Sequence, residues 1–149
     1  MPGLLERLRS LFRKQASGPE NERARRGQAG EEAAAEFLKK AGYTILAMNW
    51  RDKRDARREL DLVCRERGGV LVFVEVKARS EGDHKGGYFS VDRRKKAALR
   101  EAVNAYLGAL APEHRHHFRF DIIEVTLVAG RPGAVTHHTA VPLFPQRRR

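Results

Sequence analysis

Cysteine occurs once in the 149 residues, at Cys64. A lone thiol excludes an internal disulfide and any zinc site built on several thiolates, and it suits a reducing cytoplasm, where the chain is expected to reside. Long apolar runs are missing too: no stretch approaches the ~20 residues that a membrane-spanning helix requires. The N-terminus lacks the apolar core of a signal peptide, so secretion is not expected. Acid is in short supply, since 19 Asp and Glu stand against 30 Lys and Arg and leave a formal net charge of +11. Such a surplus favours a polyanionic partner, either nucleic acid or an anionic membrane surface. The length suits one domain of ordinary size.

What is present centres on Arg58 to Arg79, RELDLVCRERGGVLVFVEVKAR. This reads as two strands joined at Gly68-Gly69. Alternation puts Leu71, Phe73, Glu75 and Lys77 on one face of the second strand and Val70, Val72, Val74 and Val76 on the other. With a three-residue loop, Arg67-Gly68-Gly69, Glu66 pairs with Val70 and Asp61 lies opposite Glu75; a two-residue loop would instead face Asp61 toward Val76. In the first register two like charges oppose each other about 4.5–5.5 Å apart at Cβ, a repulsion that a cation relieves. Oxygen ligands favour a hard ion, Mg²⁺ or Mn²⁺, held by Asp61, Glu75 and the Val76 carbonyl. Lys77, two residues on, is placed to orient a water or neutralise a phosphate oxygen. The plainer reading is a surface Glu-Lys ladder, but Val-Phe-Val before the glutamate signals burial on both faces and favours a site.

Residues 1–15 form a basic amphipathic pattern, with Leu4, Leu5, Leu8, Leu11 and Phe12 at helical spacing among arginines; such a helix docks on its own domain, on a partner or on an anionic membrane surface. Residues 16–28 read as a linker, most clearly in their first half. A helix is expected from about Ala29 to Ala41, stopped by Gly42, with Glu31 at the inner end of its apolar stripe. That acid either complements the helix dipole or serves the site. Tyr43 to Trp50 reads as a strand and Arg51 to Arg58 as a charged connection, usually solvated but suited to a phosphate backbone. After a glycine-rich loop, Ser90 is the expected N-cap of a helix to about Gly108. Its first half carries Arg93, Arg94, Lys95 and Lys96, against the dipole, which leaves a phosphate-facing patch or plain solubility as the reason. Pro112 to His117 reads as a turn, Phe118 to Val128 as a strand, Gly130 to Gly133 as a turn and Ala134 to Val141 as a weaker strand. Asp121 pairs with Arg119 or supports the site from behind. His114, His116, His117, His137 and His138 lack an established zinc spacing. Residues 144–149 are a basic tail.

The order helix, three strands, helix, two strands permits a sheet layered between helices. In this order Gly30-Glu31-Glu32-Ala33-Ala34, Glu59-Leu60-Asp61-Leu62, Val72-Phe-Val-Glu-Val-Lys-Ala-Arg79 and Arg119-Phe120-Asp121 resemble the motifs of the bacterial YraN family, within the PD-(D/E)XK nuclease superfamily and similar to archaeal Holliday-junction resolvases. Arg58 departs from the pattern, standing where that family usually has glycine. The resemblance, which covers roughly residues 23 to 128, implies an α/β fold with a restriction-endonuclease-like αβββαβ core, a mixed central sheet flanked by helices and an extra C-terminal strand; the domain itself is read as residues 29–143. It also implies a Mg²⁺- or Mn²⁺-dependent endonuclease acting on DNA, branched or otherwise structured DNA included, with Asp61, Glu75 and Lys77 as metal and catalytic set and Glu31 as the additional acid. Arg51, Lys53, Arg54, Arg57, Arg58, Arg79, Arg93, Arg94, Lys95 and Lys96 would meet the nucleic acid. A homodimer follows by analogy with resolvases. The rival expectation is a nucleic-acid-binding protein of the same fold without turnover.

Overall fold

The computed structural model describes residues 18–83, 91–114 and 117–145. The expected N-terminal helix over 1–15, Ser90, His116 and the tail beyond Pro145 lie outside the described residues. Helix α1 spans Pro19–Lys40. It thus begins ten residues before the expected start, and most of the expected 16–28 linker is helical. Proline at the first helical position and acids Glu20 and Glu22 in the first turn both favour a start there. The polar extension is held by side-chain pairs four residues apart, Arg26 to Glu22 at 2.6 Å and Gln28 to Glu32 at 3.1 Å. No apolar stripe marks this half, which is why periodicity alone misses it. The helix ends as expected: Gly42 has φ +92°, its N–H bonds the Lys39 carbonyl, and the Tyr43 N–H bonds that of Leu38, each at 3.0 Å.

Strands β1 (Thr44–Arg51), β2 (Glu59–Arg65), β3 (Leu71–Ser80), β4 (Phe118–Val128) and β5 (Arg131–His138) form one sheet in sequence order. Only β3 and β4 run parallel, joined across one face by α2, Arg93–Ala109. The αβββαβ core with an added C-terminal strand is therefore as the sequence implied. The N-cap of α2 is Asp92, whose carboxylate accepts from the Lys95 N–H at 2.8 Å. Strand β5 starts three residues earlier than expected, because Ala129 and Gly130 both have positive φ (+50° and +77°) and close a two-residue turn. Pro132 is tolerated because β5 is an edge strand.

The hairpin has the three-residue loop. Glu66 N–H bonds the Val70 carbonyl at 3.0 Å, Gly69 has φ +90°, and pairs run Arg65 with Leu71, Cys64 with Val72, Val63 with Phe73 and Leu62 with Val74. Continued one step, this register sets Asp61 beside Glu75. Two cores result. Ala34, Ala35 and Leu38 of α1 cover Leu62, Cys64, Val72, Val74, Ile123 and Val125; Leu99, Ala102 and Val103 of α2 cover Val63, Leu71, Phe73, Phe120 and Ile122. The Val-Phe-Val run is buried on both sides of the sheet, which removes the solvent-exposed ladder as an account of Glu75.

Candidate functional site

Beyond Leu62 and Val74 the regular ladder between β2 and β3 stops. The next rung would join the Val76 N–H to the Leu60 carbonyl; instead the Asp61 carboxylate accepts that N–H at 2.8 Å. Leu60 should share a face with Leu62, yet it packs with Val63 and Phe73 on the α2 side. Strand β2 has therefore lost its alternation at Asp61, and the hairpin opens into a fork with a carboxylate in the gap.

Into this fork β3 delivers Glu75, only 4% exposed. Two ammonium groups, Lys77 Nζ from the same strand and Lys95 Nζ from the first turn of α2, each lie 3.3 Å from Glu75 Oε1. The Asp61 carboxyl is pushed up to about 7, by burial first and by the charge of Glu75 next, against the pull of its backbone hydrogen bond; Glu31 adds to the rise and Lys95 opposes it. Glu31 is also raised, by burial and by the charges of Glu59 and Glu75, although Asn49 hydrogen-bonds its side chain. Since α1 starts at Pro19, Glu31 lies well inside the helix and cannot owe its presence to the helix N-terminal dipole. Burial works against the Lys95 charge, but Glu75 and Asp61 overcome it and raise its pKa.

The donors in the fork suit a hard divalent ion. One oxygen of Asp61 is taken by Val76 N–H, leaving the second; Glu75 keeps the oxygen that the lysines do not touch. A residue in a strand turns its N–H and C=O to the same neighbour, so the Val76 carbonyl faces the gap as its N–H does. Among the described residues no three His, Cys, Asp or Glu side chains converge as a ready ligand sphere. Two carboxylates with open positions are what Mg²⁺ uses where water and phosphate oxygens complete its shell.

The fork thus gathers Glu31, Asp61, Glu75, Val76 and Lys77. Lys95, expected to face phosphate from the surface, is drawn in to Glu75. The other cations stay apart: Arg51 pairs with Glu59 at 3.2 Å, Arg57 with Asp55 at 2.9 Å and Arg58 with Asp52 at 3.1 Å. Arg79 approaches Glu124 at 3.9 Å, and Arg93 and Arg94 are exposed. Lys53 and Arg54 are exposed on the β1–β2 connection. Asn49 is the contributor the sequence reading missed. Its φ of +50° is a left-handed kink within β1 that asparagine tolerates better than most residues; a polar Asn in an otherwise apolar strand was its only signal. Asp121 belongs elsewhere. It is fully buried on the α1 side, bonded by Arg119 at 2.9 Å, His137 at 2.8 Å and the Ala140 N–H at 2.9 Å. His138 meets Glu124 at 3.1 Å, so the two adjacent histidines serve separate acids.

An αβββαβ chain with a helix acid, a strand acid and a Glu-x-Lys meeting in a forked hairpin defines a class of mixed α/β protein to which the YraN pattern also conforms. The match to family models is specific: the chain belongs to the Uncharacterised protein family UPF0102, which is the YraN family, and residues 30–125 carry the match. That span includes Glu31, Asp61, Glu75, Lys77 and Lys95. A UPF0102 protein of Halorhodospira halophila is 41% identical over 103 residues, covering 69% of this chain and 78% of the relative. One from Porphyromonas gingivalis is 39% identical over 124 residues, covering 82% and 87%. One from Symbiobacterium thermophilum is 43% identical over 99 residues, covering 66% and 80%.

Proposed function

We propose that this protein is a Mg²⁺- or Mn²⁺-dependent endonuclease that hydrolyses phosphodiester bonds in DNA, with branched or otherwise structured DNA as the favoured substrate. The observation that carries the reading is the Asp61 carboxylate inserted in place of a backbone rung beside a buried Glu75 with two lysines. A merely structural hairpin has no reason to break its ladder in order to bury two acids together.

Asp61, Glu75 and the Val76 carbonyl would hold the ion. The ion would supply Lewis-acid polarisation of a phosphoryl oxygen. Lys77 would exchange its contact with Glu75 for the attacking water and hold that water in line with the P–O bond that breaks, the leaving oxygen taking a proton from solvent. Lys95, entering from α2, neutralises charge gathering on the phosphoryl oxygens. Glu31, whose affinity for a proton is raised by burial, stands by as proton acceptor. A cleft of about 560 Å³ between the N-terminal half of α1 and the end of β3 is lined by Arg23, Arg26, Val76 and Lys77 among others, and so shares Val76 and Lys77 with the fork. Arg23 and Lys77 there would meet the phosphate backbone of the strand.

Linear, nicked, flapped and four-way DNA, and RNA, incubated with the protein in Mg²⁺ or Mn²⁺ test the proposal. Cleavage of DNA by the wild type is expected to fall by at least about a hundredfold in Glu75→Ala and in Lys77→Ala and to vanish in EDTA. Equal cleavage by all three proteins would mean a contaminant. A binding protein without turnover is the second reading, favoured by the two lysines that already neutralise Glu75. Binding with no cleavage of any substrate would establish that reading instead.

A further inference from the structure

On the α2 side of the sheet, next to the start of β2, lies a cleft of about 470 Å³ that the proposed chemistry does not use. Its floor is the C-terminal part of α2, at Asn104, Ala105, Gly108 and Ala109, and Trp50 of β1 forms a wall. The rim is the charged β1–β2 connection. Trp50 is the only tryptophan in the chain. Its ring is fixed edge-on against Tyr106, centroids 5.3 Å apart, and Tyr106 is fixed in turn against Phe73 at 5.5 Å. The indole is thereby held in place before any ligand arrives.

The rim cations divide into two kinds. Arg51 and Arg58 spend their charge on Glu59 and Asp52. Lys53 and Arg54, both exposed, have no ion-pair partner among the described residues. The cleft therefore joins an apolar floor of small residues and an aromatic wall to two unneutralised cations on one side. A helix also turns the carbonyls of its last residues outward, and the Asn104 amide adds a donor and an acceptor at the floor. That combination matches a flat heterocycle with N–H groups at one end of a ligand and an anion at the other.

We infer that this cleft is a pocket for one unpaired nucleotide of a nucleic-acid strand, the base entering between Trp50 and the α2 floor and the phosphate meeting Lys53 and Arg54. The inference rests on the reading of nucleic acid as the partner and deepens it. A base within a duplex cannot enter such a cleft, so the pocket selects a strand that is single or has a displaced base. Arg58 leads directly into Glu59-Leu60-Asp61, so a nucleotide held here would set the register of the strand relative to the fork.

Trp50 reports on the site directly. The full chain in EDTA is titrated with a short oligothymidylate while tryptophan emission is followed, so that no cleavage contributes. Saturable quenching is expected, with binding weakened about tenfold or more in Lys53→Glu and in Gly108→Leu. A Cβ added at Gly108 meets nothing within 4 Å, so leucine there fills the cleft without entering the core. Its melting temperature, expected to be equal or higher, guards against misfolding. Quenching that persists at wild-type affinity in Gly108→Leu overturns the inference. So does duplex of the same length binding as tightly as the single strand, or inorganic phosphate giving the same response. Deoxythymidine monophosphate binding as tightly as the oligonucleotide would make the ligand a free nucleotide and overturn the assignment to a strand. Cleavage in Mg²⁺ without any Trp50 response defeats the pocket alone; a Trp50 response with no cleavage of any substrate defeats the endonuclease reading alone.

Discussion

Burial beside Glu75 pushes the Asp61 carboxyl up to about 7 from its ordinary 3.8. Between those values the folded chain holds a proton that the unfolded chain releases, so without metal the stability contribution of Asp61 worsens as pH rises from about 4 to 7 and stays poor above. Asparagine keeps an acceptor for the Val76 N–H and removes the charge. Asp61→Asn in EDTA is therefore expected to melt at nearly the wild-type temperature at pH 4 and to be more stable by on the order of 2 kcal/mol at pH 8. Calorimetry at the two pH values checks it; a difference independent of pH would mean that burial and Glu75 do not raise the Asp61 carboxyl in the folded chain. On the endonuclease reading the same substitution abolishes cleavage while raising stability. This residue was legible in the sequence because a three-residue loop sets Asp61 across from Glu75, but the break in β2 alternation that turns its carboxylate to the Val76 N–H was not. Nor were Lys95 and Asn49. Whether a lysine in the first turn of a helix turns to solvent or to a strand depends on how α2 crosses the sheet, and a left-handed kink inside β1 leaves no periodic trace.

Among the elements, α1 depends on its distance from β3. A Cβ built on Gly30 would lie 2.7 Å from the Ala78 Cβ, whereas one on Gly27 meets nothing within 4 Å. Glycine at 30 thus lets the helix lie directly on the strand and brings Glu31, the next residue, toward the fork. Gly30→Val is expected to destabilise the protein by about 2 kcal/mol through overpacking and to reduce cleavage further by displacing Glu31. Gly27→Ala should instead stabilise by about 0.5–1 kcal/mol through helix propensity. Denaturant unfolding of the two variants separates close approach from general helix effects; a Gly30→Val protein as stable as Gly27→Ala would refute the tight contact. The sequence marked this helix only where its apolar stripe begins. Its first ten residues are held by Glu-Arg and Gln-Glu pairs on solvent-facing turns, which periodicity reads as linker. β5 was displaced for a related reason: its start depends on Ala129 adopting positive φ, which its identity does not announce.

Across the whole molecule the sheet separates two charged clusters with opposite demands. In the fork two acids are buried side by side, and Lys77 and Lys95 offset Glu75 while Asp61 stays raised. Around Asp121, on the α1 face, the charges are matched: Arg119 bonds Asp121, Glu66 and, at 2.8 Å, the Tyr43 hydroxyl, while His137 bonds Asp121 at 2.8 Å and stands edge-on to Phe37. This cluster ties β4 and β5 to the closed end of the hairpin and to the residue that follows α1, and it anchors the sheet against which the fork opens. Burial would raise the Asp121 carboxyl, but hydrogen bonds from His137, Arg119 and the Ala140 N–H outweigh it and hold the group below its ordinary value. A depressed carboxyl stabilises the fold at all pH values above about 4 and loses that contribution as pH falls through its folded value. Asp121→Asn takes the carboxylate from Arg119 and His137 and leaves the half-buried Arg119 with Glu66 as its only carboxylate, at an expected cost of about 2 kcal/mol at pH 7. Because the two clusters lie on opposite faces, the cleavage rate per folded molecule should stay within about twofold of wild type, whereas Glu75→Ala should do the reverse and spare stability. Urea unfolding at pH 7 and at pH 3 beside a cleavage assay decides it: if Asp121→Asn abolished cleavage while remaining fully folded, Asp121 would belong to the site after all, and the division of the sheet into a strained face and a satisfied one would fail.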